Sequence, residues 1–176
     1  MKKSIFILLF SLIGLSSFAR TDSSEVSEKD TTHYYALVDS SLLHFYEYDF
    51  SIDYDNCMLY EELNEWLGTK YKYAGNSQSG IDCSGLMKHF YSKFYELELQ
   101  GGSANIYPLT KPVSKDSLQE GDLIFFKIRG NRISHVGMYL QNGYFMHDSV
   151  HSGVTISQLS EAYYEKYYYA AGTFRE

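Results

Sequence analysis

Basic charge is scarce in this chain. Its 15 lysines and arginines stand against 22 aspartates and glutamates, a formal net charge of −7. No strong basic patch interrupts that balance, which argues against nucleic acid or an anionic lipid surface as a partner. Long apolar runs are absent too. The longest, Ile5 to Leu15, is broken by Ser11 and Gly14 and falls short of the roughly 20 residues that span a bilayer. No cysteine follows that run to carry a lipid. Metal-ligand pairs of the C-x-x-C or H-E-x-x-H type are missing. Cysteine itself occurs twice, as Cys57 and Cys83.

What is present defines one folded unit. A length of 176 residues suits one domain with a real core. Aromatics make up 17% of the chain, with 18 tyrosines, a composition for packing rather than disorder. The first 19 residues stand apart: Lys2 and Lys3, the apolar run, then small residues at Ser17 and Ala19. This is the pattern of a secretory signal peptide cut after Ala19, with a membrane anchor as the alternative. Its removal takes two lysines and moves the net charge from −7 to −9. Residues 20–57 read as a lead-in segment, polar to about 32 and aromatic from 33, where it is expected to pack onto the main domain.

From 58 the pattern becomes regular. Leu59, Leu63, Trp66 and Leu67 recur at helical spacing over 58–67, with Gly68 as terminator. A turn-rich loop holds Gly75, Asn76, Ser77, Ser79 and Gly80. A second helix is predicted from Cys83 to about Leu97, with Leu86, Met87, Phe90, Phe94 and Leu97 on one face. Strands are predicted at 122–128, 133–140, 144–149 and 167–174. Helices first and an antiparallel sheet later make an α+β fold.

In an exported protein a pair of cysteines first suggests a disulfide. The surroundings of Cys83 suggest another use. It opens a helix after a glycine-containing loop, where free N–H groups and the helix dipole favour thiolate and can hold an oxyanion. Asp82 fits as N-cap of the same helix. His135 and His147 lie on adjacent predicted strands. A two-residue turn at Asn142-Gly143 sends them to opposite faces. A three-residue turn, Gln141-Asn142-Gly143, pairs 140 with 144 and places them on one face, with Gly143 taking the left-handed position. The longer turn also sorts the side chains: Val136, Met138, Leu140, Tyr144 and Met146 on a core face, His135, Gly137, Tyr139, Phe145, His147 and Ser149 on a site wall. A thiol, a base and a group that orients the base is the arrangement of nucleophilic catalysis. A Cys-His-His metal site is the competing reading, and no fourth ligand lies at short spacing.

Five ordered segments carry a resemblance. They are Leu67-Gly68-Thr69-Lys70-Tyr71-Lys72-Tyr73-Ala74-Gly75, Gly80-Ile81-Asp82-Cys83-Ser84-Gly85, Gly121-Asp122-Leu123-Ile124-Phe125-Phe126, Ser134-His135-Val136-Gly137-Met138-Tyr139-Leu140 and Phe145-Met146-His147. The stretch 58–176 that contains them resembles the NlpC/p-sixty family of cell-wall cysteine endopeptidases. The resemblance implies a papain-like α+β fold with N-terminal helices on a mostly antiparallel sheet. It implies hydrolysis of peptidoglycan stem peptides, typically at the γ-D-glutamyl to diamino-acid bond. It places the nucleophile at Cys83, the base at His135 and the orienting group at His147. It implies that Tyr71 lines the site and helps hold the oxyanion, and that Asp82 and Ser84 receive a substrate's free amine. No cofactor or metal is expected, the peptidoglycan peptide is the expected partner, and an exported monomer without stable membrane insertion is the expected state. One departure is Ala74, where the family usually has glycine. No SH3-like or repeat targeting module is recognisable. Other readings are an amidase on a different substrate and an inactive wall-binding module.

Overall fold

The structure is a computed structural model that describes residues 42–53 and 55–176. The expected signal segment 1–19 and the polar part of the lead-in fall outside the described residues. The first described element is a 3-10 helix, Leu43–Tyr48. Phe45 within it and Phe50 just after it are buried, and their rings meet Tyr60 edge-on and tilted, with centroids 5.3 and 5.5 Å away.

Helix α1, Cys57–Trp66, follows the predicted spacing closely. Leu59, Tyr60, Leu63 and Trp66 are its buried apolar residues. It stops where Leu67 becomes extended and Gly68 adopts φ +79°, a conformation that glycine takes at little cost. A short hairpin, β1 (Asn76–Ser77) and β2 (Gly80–Ile81), leads into helix α2, Cys83–Tyr95. Leu86, Met87, Phe90 and Tyr91 form its buried face. The helix ends a turn-fraction earlier than expected because Glu96 enters the left-handed region at φ +52°. The two helices are locked by Glu62, which accepts hydrogen bonds from Trp66 Nε1 (2.6 Å), His89 Nε2 (2.5 Å) and Lys93 Nζ. Its carboxyl is pulled below the usual range despite burial, because three donors surround it.

A short helix α3, Ser103–Ile106, precedes strand β3, Lys111–Val113. Then come β4 (Leu123–Phe126), β5 (His135–Tyr139), β6 (Tyr144–Ser149), β7 (Gly153–Gln158), helix α4 (Ala162–Tyr167) and β8 (Tyr168–Thr173). The sheet order is β3-β8-β4-β5-β6-β7, and every pairing is antiparallel. The α+β, papain-like class read from the sequence is therefore the fold observed, with β1, β2, α3, β3, β7 and α4 as elements the sequence did not reveal.

The hairpin register is the predicted one. Gly137 pairs with His147, Met138 with Met146 and Tyr139 with Phe145. The Leu140 N–H donates to the Tyr144 carbonyl at 2.9 Å. Gly143 is left-handed at φ +83°, and so is Asn142 at φ +54°. Upstream chain braces this turn. Gln141 exchanges two hydrogen bonds of 2.9 Å with the backbone of Ser51, and Asn142 donates to the Asp49 carbonyl at 2.6 Å.

The two sheet faces divide as expected on one side only. Val136, Met138, Leu140 and Met146 pack with α2 in the main core. The other face is not an open site wall. Phe145, Ile124, Phe126 and Leu159 form a second small core there, with Tyr139, Tyr164 and Tyr167 packed against it. Helix α4 roofs this face, so the wall expected from side-chain sorting is mostly interior.

Candidate active site

Asp82 fixes the start of α2. It is extended (φ −112°, ψ 169°), and its Oδ1 accepts from the Gly85 N–H at 2.7 Å, an N-cap interaction. The same oxygen accepts from Ser84 Oγ at 2.7 Å, and Oδ2 accepts from the Ala74 N–H at 2.8 Å. Asp82 thus ties the preceding loop to the helix it caps. Glycine is needed in this corner: a Cβ on Gly75 would stand 2.3 Å from the Gly80 carbonyl oxygen, and one on Gly85 2.5 Å from that of Gly75. Ala74 itself is left-handed, φ +55°, which explains why glycine is the better residue there.

Cys83 emerges half-buried at the first position of α2, and no disulfide joins it to the buried Cys57. Burial pushes its thiol up to about 11, against the opposing effect of the Val136 and Ser84 backbone and with Asp82 and Asp148 adding to the rise. The expectation of a resting thiolate is therefore corrected. Desolvation exceeds the helix-terminus effect at this site.

Helix α2 packs against β5 and β6, the strands that carry the two histidines. His135 and His147 are 7% and 1% exposed. Their rings meet edge to face at 5.0 Å, with His135 Nε2 and His147 Nδ1 3.0 Å apart. A Cβ on Gly137 would lie 2.7 Å from the Met146 carbonyl oxygen and 3.1 Å from His147 Cβ, so glycine permits this approach. Burial, then the Arg129 charge, depresses His135 to about 4. Burial, then His135, holds His147 well below the usual imidazole range.

The far nitrogen of His147 has partners the sequence did not reveal. Nε2 lies 3.1 Å from Tyr164 Oη and 3.2 Å from Ser157 Oγ. These come from α4 and β7, and only tertiary structure brings them to β6. Tyr71 bridges to Ile81 and stands at the cleft; burial, then Cys83 and Asp82, raises its phenol, which stays protonated as a donor. Tyr71, Asp82, Cys83, Ser84, His135 and His147 all line one cleft of about 1170 Å³. Ser84 is 8% exposed, with its hydroxyl turned to Asp82. Next to His147 on β6 is Asp148, fully buried, with no hydrogen-bond partner on either carboxylate oxygen among the described residues. Its position on the core-facing side of β6 is the signal that would have flagged it. No group of three His, Cys, Asp or Glu side chains among the described residues is arranged to hold a metal ion.

Helices packed on an antiparallel sheet, with a helix-start cysteine and two strand-borne histidines lining one cleft, place the chain in the papain-like class of α+β proteins. Within that class the chain belongs to the NlpC/P60 family, whose sequence model matches residues 68–173. It is 41% identical over 105 residues to a probable endopeptidase NlpC homolog of Haemophilus influenzae, covering 60% of this chain and 55% of that protein. It is 36% identical over 108 residues to the murein DD-endopeptidase MepS/murein LD-carboxypeptidase of Escherichia coli K12, covering 61% and 57%. The chain thus spans little more than half the length of these curated relatives. Among solved structures, an NlpC/P60 family protein from Bacillus cereus superposes with a TM-score of 0.61 at 31% identity, over 66% of this chain and 39% of that one.

Proposed function

We propose that the protein is an exported cysteine endopeptidase that cleaves peptidoglycan stem peptides, with residues 58–176 as its peptidase domain. Cys83 is the nucleophile, His135 the base and His147 the group that orients the base. The observation that carries this reading is the 3.0 Å histidine pair lining the same cleft as the helix-start thiol. The names of the relatives, one a murein endopeptidase, supply the substrate class.

With His135 taken as the base, the remaining protons follow from these contacts. His135 spends Nε2 on His147, so Nδ1 is the nitrogen left for the thiol. For Nε2–H to donate, His147 Nδ1 must accept, which puts the His147 proton on Nε2, donating to Tyr164 or Ser157. The resting pair is neutral thiol and neutral imidazole. Proton transfer from Sγ to His135 Nδ1 therefore accompanies attack on the scissile carbonyl. The N–H groups at the start of α2 and the Tyr71 hydroxyl face the developing oxyanion. Collapse expels the amine, which takes the proton from His135. Water, deprotonated by the same nitrogen, then hydrolyses the thioester.

The bond proposed is γ-D-glutamyl to diamino acid, with the substrate's free amine towards Asp82 and Ser84. The experiment is digestion of purified peptidoglycan by the protein and by Cys83→Ala and Cys57→Ser, with product masses read out. Wild type and Cys57→Ser should release fragments cut at that bond, and Cys83→Ala none. Cleavage by Cys83→Ala sinks the mechanism. A different mass pattern reassigns the bond or points to an amidase, and binding without products points to a wall-binding module.

A further inference from the structure

The loop between β4 and β5 carries Arg129 and Arg132, and both line the same cleft as Cys83. They are exposed, and among the described residues neither guanidinium donates a hydrogen bond or joins an ion pair. Arg175 makes the contrast, spending its fork on the buried Asp122 at 2.6 and 2.7 Å. In a chain of net charge −7, two unspent arginines in the cleft that holds Cys83 and His135 are a local reversal of sign. The loop holding them is fixed at its root, since Ser134 Oγ accepts from the N–H groups of Ile128 (3.1 Å) and Arg129 (3.0 Å). Arg129 is near enough to His135 and Tyr71 to perturb both. Asp82 lies in the cleft with Cys83 next to it in sequence. Lys88 and Glu161 also line the cleft, and Glu161 Oε1 is engaged by the Gln158 N–H at 2.7 Å.

We propose that Arg129 and Arg132 form a subsite for a free carboxylate of the peptide close to the scissile bond, so that the enzyme selects acidic stem peptides over their carboxamide forms. The proposal rests on the peptidase reading above. A guanidinium matches a carboxylate with two parallel N–H···O bonds, which an amide cannot reproduce. Occupancy has a second effect. Arg129 helps to depress His135, so a carboxylate that neutralises Arg129 makes the base more basic while substrate is bound. The subsite then couples recognition to the proton transfer.

The test uses the stem peptide L-Ala-γ-D-Glu-diaminopimelate-D-Ala and a set in which each free carboxylate in turn is replaced by carboxamide. For wild type, one replacement should lower kcat/KM by about 10- to 100-fold, the range of charge-assisted hydrogen bonds. In Arg129→Gln/Arg132→Gln the ratio between that acid and amide pair should fall towards one. With wild type, the acidic limb of kcat against pH should lie higher for the acid peptide than for its amide. Calorimetric binding of the same peptides to Cys83→Ala reads the subsite without turnover. If wild type cleaves no peptide, the peptidase reading falls, and the binding arm still judges the subsite. Equal affinity for every acid and amide pair, or a preference that survives the double substitution, overturns it.

Discussion

Asp148→Asn should flatten the dependence of stability on pH. Asp148 is fully buried without a hydrogen-bond partner among the described residues, and burial, with a contribution from Asp82, raises its carboxyl from 3.8 to about 7. The groups that act on it or feel it are Asp82, Cys83 and Tyr71. For an acid raised on folding, the native state binds the proton more tightly than the unfolded chain. Its effect is nil below the unfolded pKa, grows as pH rises from about 4, and levels off above about 7, always as a loss of stability. The whole shift corresponds to about 4 kcal/mol, of which roughly 2–3 kcal/mol develops between pH 5 and 8. Asparagine cannot ionise, and any cost of its own amide is independent of pH. Urea unfolding of both proteins across that range should give a difference that moves in the variant's favour by this amount, or roughly 4–12 °C in Tm for a domain of this size. Alkylation of Cys83 should also begin at lower pH in the variant, because Asp148 raises the thiol. Parallel stability curves would refute the reasoning and mean that Asp148 is solvated or paired.

Gly137→Ala forces a methyl against the Met146 carbonyl and His147 Cβ; it should cost about 1–3 kcal/mol of stability and on the order of 100-fold in kcat through the displaced ring, whereas unchanged turnover would disconnect the histidine pair from catalysis. Ala74→Gly relieves a left-handed alanine at φ +55° and should raise stability by about 0.5–1 kcal/mol in urea melts, the strain relieved less the entropy gained by the unfolded chain. Tyr164→Phe leaves Ser157 as the remaining partner of His147 Nε2, so kcat/KM should drop about 3- to 10-fold, the pH profile should shift, and adding Ser157→Ala should deepen both; a shifted melting point with an intact profile would make Tyr164 merely structural. Asp82→Asn keeps the cap but turns an NH2 towards one of three donors, costing about 1–2 kcal/mol, and a larger kcat/KM loss on peptides with a free amino terminus than on acetylated ones is what amine recognition requires.

The sequence carried the parts of the site that depend on local rules. A glycine-rich loop before Asp82-Cys83 and a left-handed residue at 143 are short-range signals, and the helix start and hairpin register followed from them. What escaped depends on tertiary packing. Strand β3 is three residues with Pro112 on an edge, too short for periodicity to register. Tyr164 reaches His147 only because β7 and α4 fold back over β6. The charge state of Cys83 was misjudged because helix geometry can be inferred from sequence, while the desolvation that overrides it belongs to the packed site.

The family-matching segment begins at residue 68, yet the turn that aligns the histidines is held from outside it. Ser51 and Asp49 grip Gln141 and Asn142, and Phe50 packs edge-on to Tyr144 at 5.7 Å. A one-residue slip in that hairpin would swing His147 to the opposite face. The upstream chain therefore acts as a splint on the register of the histidine hairpin. A chain cut back to residue 58 loses this brace, so a fragment that begins at Asp49 or earlier should hold the histidine hairpin in register better than one that begins at 58.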